Sequence, residues 1–336
     1  MKALVTGGGG FLGRYIAEGL LTRGDAVCVI GRRRYADLEA LGIECRVVDL
    51  GDQSSVEAVC EGVDVVFHVA AKAGYWGDPA EFDRTNVQGT RHVISGCLKA
   101  GVGRLVHTST PSVVAHPGLL ENVNEDQPYP PVALCDYQRT KILAEKDVLA
   151  ANGDALKTVS LRPHIIFGPR DPHFIPRIVA RARAGQIRRV GDGTNRVDVI
   201  YVENAAAAHL AAADALVEGR TVGGRAYFIS QGEPVRLWEF LDRILEGLGL
   251  PPIKKSVPFG VAWYAGSVLE AVHRLLRLGG EPRMTRFLAV QLGQSHWFDV
   301  SRARDELGFQ PTISTDEGLA RLFAYVSEHG LQGLSI

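Results

Sequence analysis

The chain has little that would hold it together from outside its own core. Its five cysteines, at positions 28, 45, 60, 97 and 135, are odd in number and include no C-x-x-C pair. That excludes a disulfide framework or a cysteine zinc site and suits buried thiols in a reducing cytosol. Ten histidines contain no H-E-x-x-H and no i, i+4 pair, so no metal centre is expected. The longest weakly polar stretch, Val257 to Leu269, is 13 residues broken by Pro258, Gly260 and Gly266, short of the ~20 that a membrane span needs. No apolar leader precedes the glycines that follow Met1 to Val5, and a cytoplasmic protein is expected. An excess of one charge is missing too: 37 Lys+Arg face 38 Asp+Glu. That balance excludes a nucleic-acid binder working through a broad basic face. No repeat or low-complexity tract stands out, and 46% hydrophobic against 22% charged residues excludes disorder.

What the chain does have is length and rhythm. Its 336 residues bury roughly three quarters of their unfolded surface on folding. Short Val/Ile/Leu-rich runs near 2–6, 26–30, 45–48, 64–69, 104–109, 157–162 and 226–230 read as strands covered on both faces. Helix-length segments at 10–23, 53–61, 85–100, 136–151, 172–184, 204–217 and 236–248 alternate with them, which is the βαβ order of a doubly wound parallel sheet of Rossmann type. Asp52, Asn204 and Asp136 stand where helices are expected to start. After about residue 160 the alternation loosens. We expect a nucleotide-binding core over 1–165, completed by the strands near 157–162 and 226–230, and a smaller C-terminal substrate lobe over 166–336, interleaved with it.

Thr6-Gly-Gly-Gly-Gly10-Phe11-Leu12-Gly13 follows the first apolar run and opens an amphipathic helix, the context a dinucleotide fingerprint requires. Gly7 permits a tight turn, Gly10 lets a pyrophosphate approach the backbone, and Gly13 allows close helix–strand packing. The amides of the first helical turn, from Phe11 and Leu12 onward, then face the phosphates. At the end of the second strand the acidic residue that would bind the ribose hydroxyl of NAD is absent, and Gly31-Arg32 stands in its place. A guanidinium there matches the 2′-phosphate of NADP, so NADP(H) is expected over NAD(H). The alternative is a basic surface loop, Arg32 to Arg34. Asp49 and Leu50 are placed to border the adenine. Ala70 and Ala71 are small enough to let the cofactor cross the sheet edge.

Tyr137-Gln-Arg-Thr-Lys141 puts a phenol and an ammonium on one helix face. A free phenol titrates near ~10, and a cation one turn away favours the phenolate. Upstream, Thr108-Ser109-Thr110-Pro111-Ser112 puts hydroxyls at the carboxyl edge of the fifth strand, the edge where open α/β sheets bind ligands; such residues are also ordinary turn formers. Asn86, early in a predicted helix, is a helix cap or a catalytic relay.

In this order these motifs resemble the extended short-chain dehydrogenase/reductase superfamily over nearly the whole chain. The resemblance implies a catalytic set of Thr110, Tyr137 and Lys141, with Ser109 as the alternative hydroxyl and Asn86 beside them. It implies a cofactor site of Gly7, Gly10, Phe11, Leu12, Gly13, Arg32, Asp49, Leu50, Ala70, Ala71, Lys72, Lys141 and Pro163, the last following Arg162 on the nicotinamide side. The string His107 to Val113 is similar to the 3β-hydroxysteroid dehydrogenase branch. The strings Ala71-Lys-Ala-Gly-Tyr-Trp-Gly77, Val190 to Gly193, Gly232-Glu-Pro234 and Gly280 to Leu288 resemble the 2-alkyl-3-oxoalkanoate reductases of bacterial long-chain olefin biosynthesis. Val69 departs from that pattern, which has Asn there. The implied reaction is NADPH-dependent reduction of a 3-keto group, with Tyr137 giving the proton. A 3β-hydroxysteroid or sterol-4-carboxylate dehydrogenase is the nearest alternative, followed by a nucleotide-sugar epimerase or dehydratase and a non-catalytic NADP sensor. Implied partners are a long-chain acyl or sterol-like molecule, a second copy of the chain and other olefin-pathway enzymes; nucleic acid is not among them. The apolar residues of 257–298, Trp263, Tyr264, Leu269, Val272, Leu275, Leu276 and Leu278 among them, together with Arg274, Arg277, Arg283 and Arg286, are expected either to form an ordinary lobe core or to line an acyl channel, with the arginines near a carboxylate or a membrane surface.

Overall fold

The computed structural model describes residues 1–217 and 221–334. Seven parallel strands form its main sheet: β1 (Lys2–Thr6), β2 (Ala26–Gly31), β3 (Glu44–Val47), β4 (Val65–His68), β5 (Arg104–Thr108), β6 (Lys157–Pro163) and β7 (Arg225–Ile229). Their order is β7-β6-β5-β4-β1-β2-β3. Successive strands are added in opposite directions on the two sides of the gap between β1 and β4, the switch point where open α/β sheets hold ligands. Side chains alternate between two cores: Ala3, Val5, Val27 and Val29 pack on one face, Leu4, Cys28 and Ile30 on the other. That alternation explains why the strands read as continuous apolar runs.

On the first face lie α1 (Phe11–Thr22) and α5 (Val202–Ala215); on the second lie α2 (Gln53–Val59), α3 (Gly89–Ala100) and α4 (Asp136–Ala150). Asp52 caps α2 by accepting from Ser55 N at 3.3 Å. The other two expected starts are corrected. α4 is preceded by extended Cys135 with no side-chain cap, and Asp136 is its first residue. α5 begins at Val202, and Asn204 lies inside it, donating to Gln231 Oε1 (2.8 Å) and Ile313 O (2.7 Å). The helix expected at 85–100 starts as a wider π turn, Asp83–Gln88, continuous with α3.

The sequence reading missed a second sheet of four short strands, in the order Val235–Arg236, Arg196–Val197, His296–Phe298 and Leu120–Val123. Beside it, α6 (Phe259–Leu275) packs on the helix Arg286–Gly293. A Cβ on Gly266 would stand 2.6 Å from the Thr285 carbonyl carbon, so glycine is what permits this approach. Among the described residues no helix is long and apolar enough to cross a membrane.

Candidate active site

The site is built at the carboxyl ends of the central strands. Register pairs Thr6 with His68, His68 with His107, and His107 with Ser160, so one polar row crosses four strands. Neighbouring residues in register share a face, here the face roofed by α3 and α4. Each member of the row is hydrogen-bonded, Thr6 Oγ1 to His68 Nδ1 (2.8 Å), His68 Nε2 to Thr90 Oγ1 (2.9 Å), and His107 Nδ1 to Ser160 Oγ (2.8 Å), while the two imidazoles stack with ring centroids 5.6 Å apart. Burial drives both imidazoles toward the neutral form, His68 to about 3 and His107 well below its ordinary value.

At the switch point the glycine loop has the shape of a phosphate cradle. Gly7 adopts φ +68°, and a Cβ there would meet Ala70 Cα at 2.9 Å. At Gly13 the loop itself leaves no room for a side chain, since a Cβ there would stand 2.4 Å from Gly7 O. The first helical bond of α1 runs from Arg14 N to Gly10 O at 3.0 Å, which leaves the amides of Phe11, Leu12 and Gly13 at the helix mouth. Thr6 Oγ1 accepts from Val69 N and Ala70 N, both at 3.1 Å, and fixes the opposite wall. These features fit a dinucleotide pyrophosphate.

Of the other expected cofactor residues, Arg32 is exposed just beyond β2. Arg33 lies 5.5 Å over the Tyr35 ring, and Arg34 pairs with Glu39 at 2.8 Å, so the three arginines are not equivalent. Asp49 Oδ2 holds Arg84 Nη2 at 2.5 Å, and its Oδ1 accepts from Gly51 N. The Leu50 side chain belongs to the core. The Lys72 ammonium pairs with Glu81. Asn86 is not a cap: its Oδ1 accepts from Lys72 N (2.7 Å) and its Nδ2 donates to Lys72 O (3.1 Å) and Thr140 Oγ1 (3.0 Å). It therefore pins the segment that follows Ala70 and Ala71 to α4. Pro163 ends β6, buried beside Ile229.

Tyr137 and Lys141 rise from the first turns of α4. Burial pushes the phenol up to about 12, and the adjacent Thr110 hydroxyl acts in the opposite direction. Thr110 is fixed in turn, accepting from Ser112 N (3.2 Å) and donating to Ser112 Oγ (3.1 Å). Ser109 is buried and faces the Glu145 carboxylate without a well-formed hydrogen bond; the chain brings Thr110, not Ser109, to the phenol. Lys141 is 3% exposed, and burial lowers it to about 8. Its Nζ donates to Thr108 O (2.7 Å) and meets His107 Nε2 at 3.1 Å. Among the described residues phenol and ammonium share no hydrogen bond. Behind them Glu145 forms a buried pair with Arg162 (2.6 Å) and accepts from Tyr129 OH (2.8 Å) and Ser160 Oγ (3.3 Å). The Glu145 carboxyl is held below its ordinary value by Arg162 despite the opposing effect of burial.

A cavity of about 110 Å³, lined by Tyr75, Trp76, Cys135, Asp136, Glu270 and Arg274, opens at the first residue of α4, next in sequence to Tyr137. A larger cleft of about 720 Å³ lies on the other face of the sheet, between α1 and α5; its Arg170 and Arg321 are paired with Glu18 and Glu203, and it touches none of this chemistry. His107, Glu145 and Tyr75 were missed from sequence. Glu145 had a signal, since it continues the Tyr137, Lys141 spacing by one more helical turn. His107 stood in the quoted β5 string without a role.

A parallel sheet with a phosphate cradle at its switch point and a Tyr–Lys pair beside a strand-end hydroxyl defines a nicotinamide-dependent oxidoreductase. The model of the 3-beta hydroxysteroid dehydrogenase/isomerase family matches residues 4–259, and the chain belongs to that family. It is 46% identical over 328 residues to a 2-alkyl-3-oxoalkanoate reductase of Stenotrophomonas maltophilia (strain K279a), covering 96% of this chain and 99% of that one. It is 36% identical to a decarboxylating sterol-4-alpha-carboxylate 3-dehydrogenase of Mus musculus, covering 95% and 89%. Among solved structures, MoeE5 in complex with UDP-glucose and NAD superposes with a TM-score of 0.72 at 26% identity, covering 98% and 99%.

Proposed function

We propose that this enzyme reduces the 3-keto group of a 2-alkyl-3-oxoalkanoate to the 3-hydroxy acid with NADPH. The observation that carries the reading is the Tyr137 phenol, set next to the Thr110 hydroxyl and one residue from the lining of a small cavity, in a chain nearly half identical to a reductase of that name. When bound, the dihydronicotinamide supplies the hydride to the carbonyl carbon. Thr110 and Tyr137 hold the ketone oxygen, and Tyr137 gives its proton as that oxygen becomes an alkoxide. Lys141, anchored by Thr108 O and His107, brings a positive charge into a dry site and favours the phenolate left behind. Arg32, exposed beyond β2 and in no salt bridge among the described residues, takes the 2′-phosphate. The lobe after residue 166, with α6 and the strip around Tyr75, closes the substrate side.

A second reading, oxidation of a 4-carboxysterol, is favoured by the 36% identity to the mouse sterol enzyme; both substrates place the reacting carbon beta to a carboxylate. Following NADPH and NADH consumption with 2-alkyl-3-ketoacids, beside NAD(P) reduction with 4-carboxysterols, separates the two. Turnover of the ketoacids with NADPH is expected. Sterol oxidation with NAD and no ketoacid reduction would replace the first reading by the second.

A further inference from the structure

Helix α6 is amphipathic the wrong way round for a helix facing water. Its buried positions are Ala262, Gly266 and Glu270, spaced i, i+4, and its one carboxylate is the inward residue, with Glu270 bonded to Arg286 N (2.6 Å) and Nε (3.0 Å). The outward face carries Val261, Tyr264, Val268, Val272 and Leu275, all exposed, Tyr264 by 73% and Leu275 by 83%. At about 100° per residue these five fall within an arc of roughly 80°. No charged residue of α6 lies among them. The apolar side chains read from sequence as core or channel are here corrected: Tyr264, Val272, Leu275, Leu276 and Leu278 point out of the molecule.

The frame around this face is cationic. Lys254 and Lys255 precede the helix, and Arg274, Arg277 and Arg283 close and follow it. Among the described residues none of the five is in a salt bridge, whereas the one exposed carboxylate in the segment, Glu281, is paired with Arg177 at 3.2 Å. An exposed apolar stripe with an interfacial tyrosine, rimmed by Lys and Arg that lack a carboxylate partner among the described residues, is the pattern of a helix lying in the plane of a membrane surface. With 17 residues, α6 is too short to span a bilayer. A second copy docked two-fold on this face would set one cationic rim against another, which costs rather than stabilises.

We propose that the outer face of α6 docks on the surface of an anionic lipid bilayer, with Tyr264, Val268 and Leu275 entering the headgroup–acyl boundary and the flanking cations meeting acidic headgroups. This goes beyond the reaction assigned above and does not depend on it. Its consequence for the site is positional: Glu270 and Arg274 of the same helix line the small cavity at the start of α4, so docking fixes one wall of that cavity from the side turned away from the lipid.

Flotation of the purified full chain with vesicles tests the proposal without reference to activity. Vesicles of phosphatidylcholine alone are compared with phosphatidylcholine–phosphatidylglycerol mixtures at low and high salt. Binding to the anionic vesicles, weakened by salt, is expected. Tyr264→Glu with Leu275→Glu should lower the partition coefficient at least about tenfold, and Lys255→Glu with Arg277→Glu should remove the preference for anionic lipid. Unchanged melting temperatures show that the variants fold. Failure of the wild-type chain to float with either vesicle overturns the proposal. So does equal flotation of the Tyr264/Leu275 variant, or a dimer in sedimentation velocity that this variant dissolves.

Discussion

The Lys141 ammonium stands 3.1 Å from His107 Nε2, and that contact fixes the direction of a buried hydrogen-bond chain. A protonated amine can only donate, so Nε2 accepts and Nδ1–H donates to Ser160 Oγ, whose proton goes to Glu145. The active-site cation is thus tied through an imidazole and a hydroxyl to a buried anion. Because Lys141 is lowered to about 8, kcat/KM for ketone reduction is expected to fall as pH rises past that value. His107→Leu removes an acceptor of the charged form and should move this basic limb about one unit lower. A pH profile measured at saturating cofactor checks it, with an unmoved limb assigning His107 to packing alone.

Tyr137→Phe keeps the ring and deletes the proton. The expected loss is about 10²- to 10⁴-fold in kcat with cofactor affinity little changed. Single-turnover rates and cofactor-fluorescence titration separate the two quantities.

Glu145→Gln leaves the buried Arg162 without its anion, which costs about 3–5 kcal/mol of stability. The double variant Glu145→Gln with Arg162→Met should recover much of that in chemical denaturation, since a buried pair is far more costly to break than to replace. The single variant also removes the charge that raises Lys141, so its activity profile should shift to lower pH, as in His107→Leu.

Asp198 is 1% exposed and accepts from Phe298 N at 2.8 Å, but burial raises it from 3.8 to about 7. A carboxyl with a raised folded value contributes fully below the unfolded value and loses that contribution as pH rises through the folded one. Asp198→Asn should therefore gain on the wild-type chain by a few kcal/mol between about pH 4 and pH 8. Thermal melts across that window check the sign, and a constant difference would mean the carboxyl is ionised throughout.

Arg32→Ala should raise KM for NADPH about tenfold, the effect of roughly 1.4 kcal/mol, while leaving KM for NADH nearly unchanged. Equal effects on both cofactors would assign Arg32 to the surface loop.

The sheet was legible because its strands are buried on both faces and write themselves as apolar runs, as at Leu4-Val5 and Val65-Val66-Phe67. The glycine loop and Tyr137–Lys141 were legible because chemistry fixes their spacing. The small sheet was not, because strands of two to four residues such as Arg196–Val197 and Leu120–Val123 are too short for a period and exist only through pairing distant in sequence. Asn204 was misplaced, and Asn86 stayed open between a cap and a relay, for a related reason: each looks like a helix start locally, and tertiary contacts with Ile313 and Lys72 are not visible there. The outer face of α6 was read as core or channel because hydrophobicity reports a preference to leave water, not the direction in which a side chain leaves it.

The last strand to join the main sheet, β7, comes from Arg225–Ile229, long after β6 is complete at Pro163. Until it emerges from the ribosome, the nascent sheet ends at β6, whose Val159 and Leu161 are wholly buried in the finished molecule. Chains terminated before Arg225 carry an unpaired, sticky edge. Synthesis of this protein therefore passes through a stage at which β6 is the open edge of an unfinished sheet.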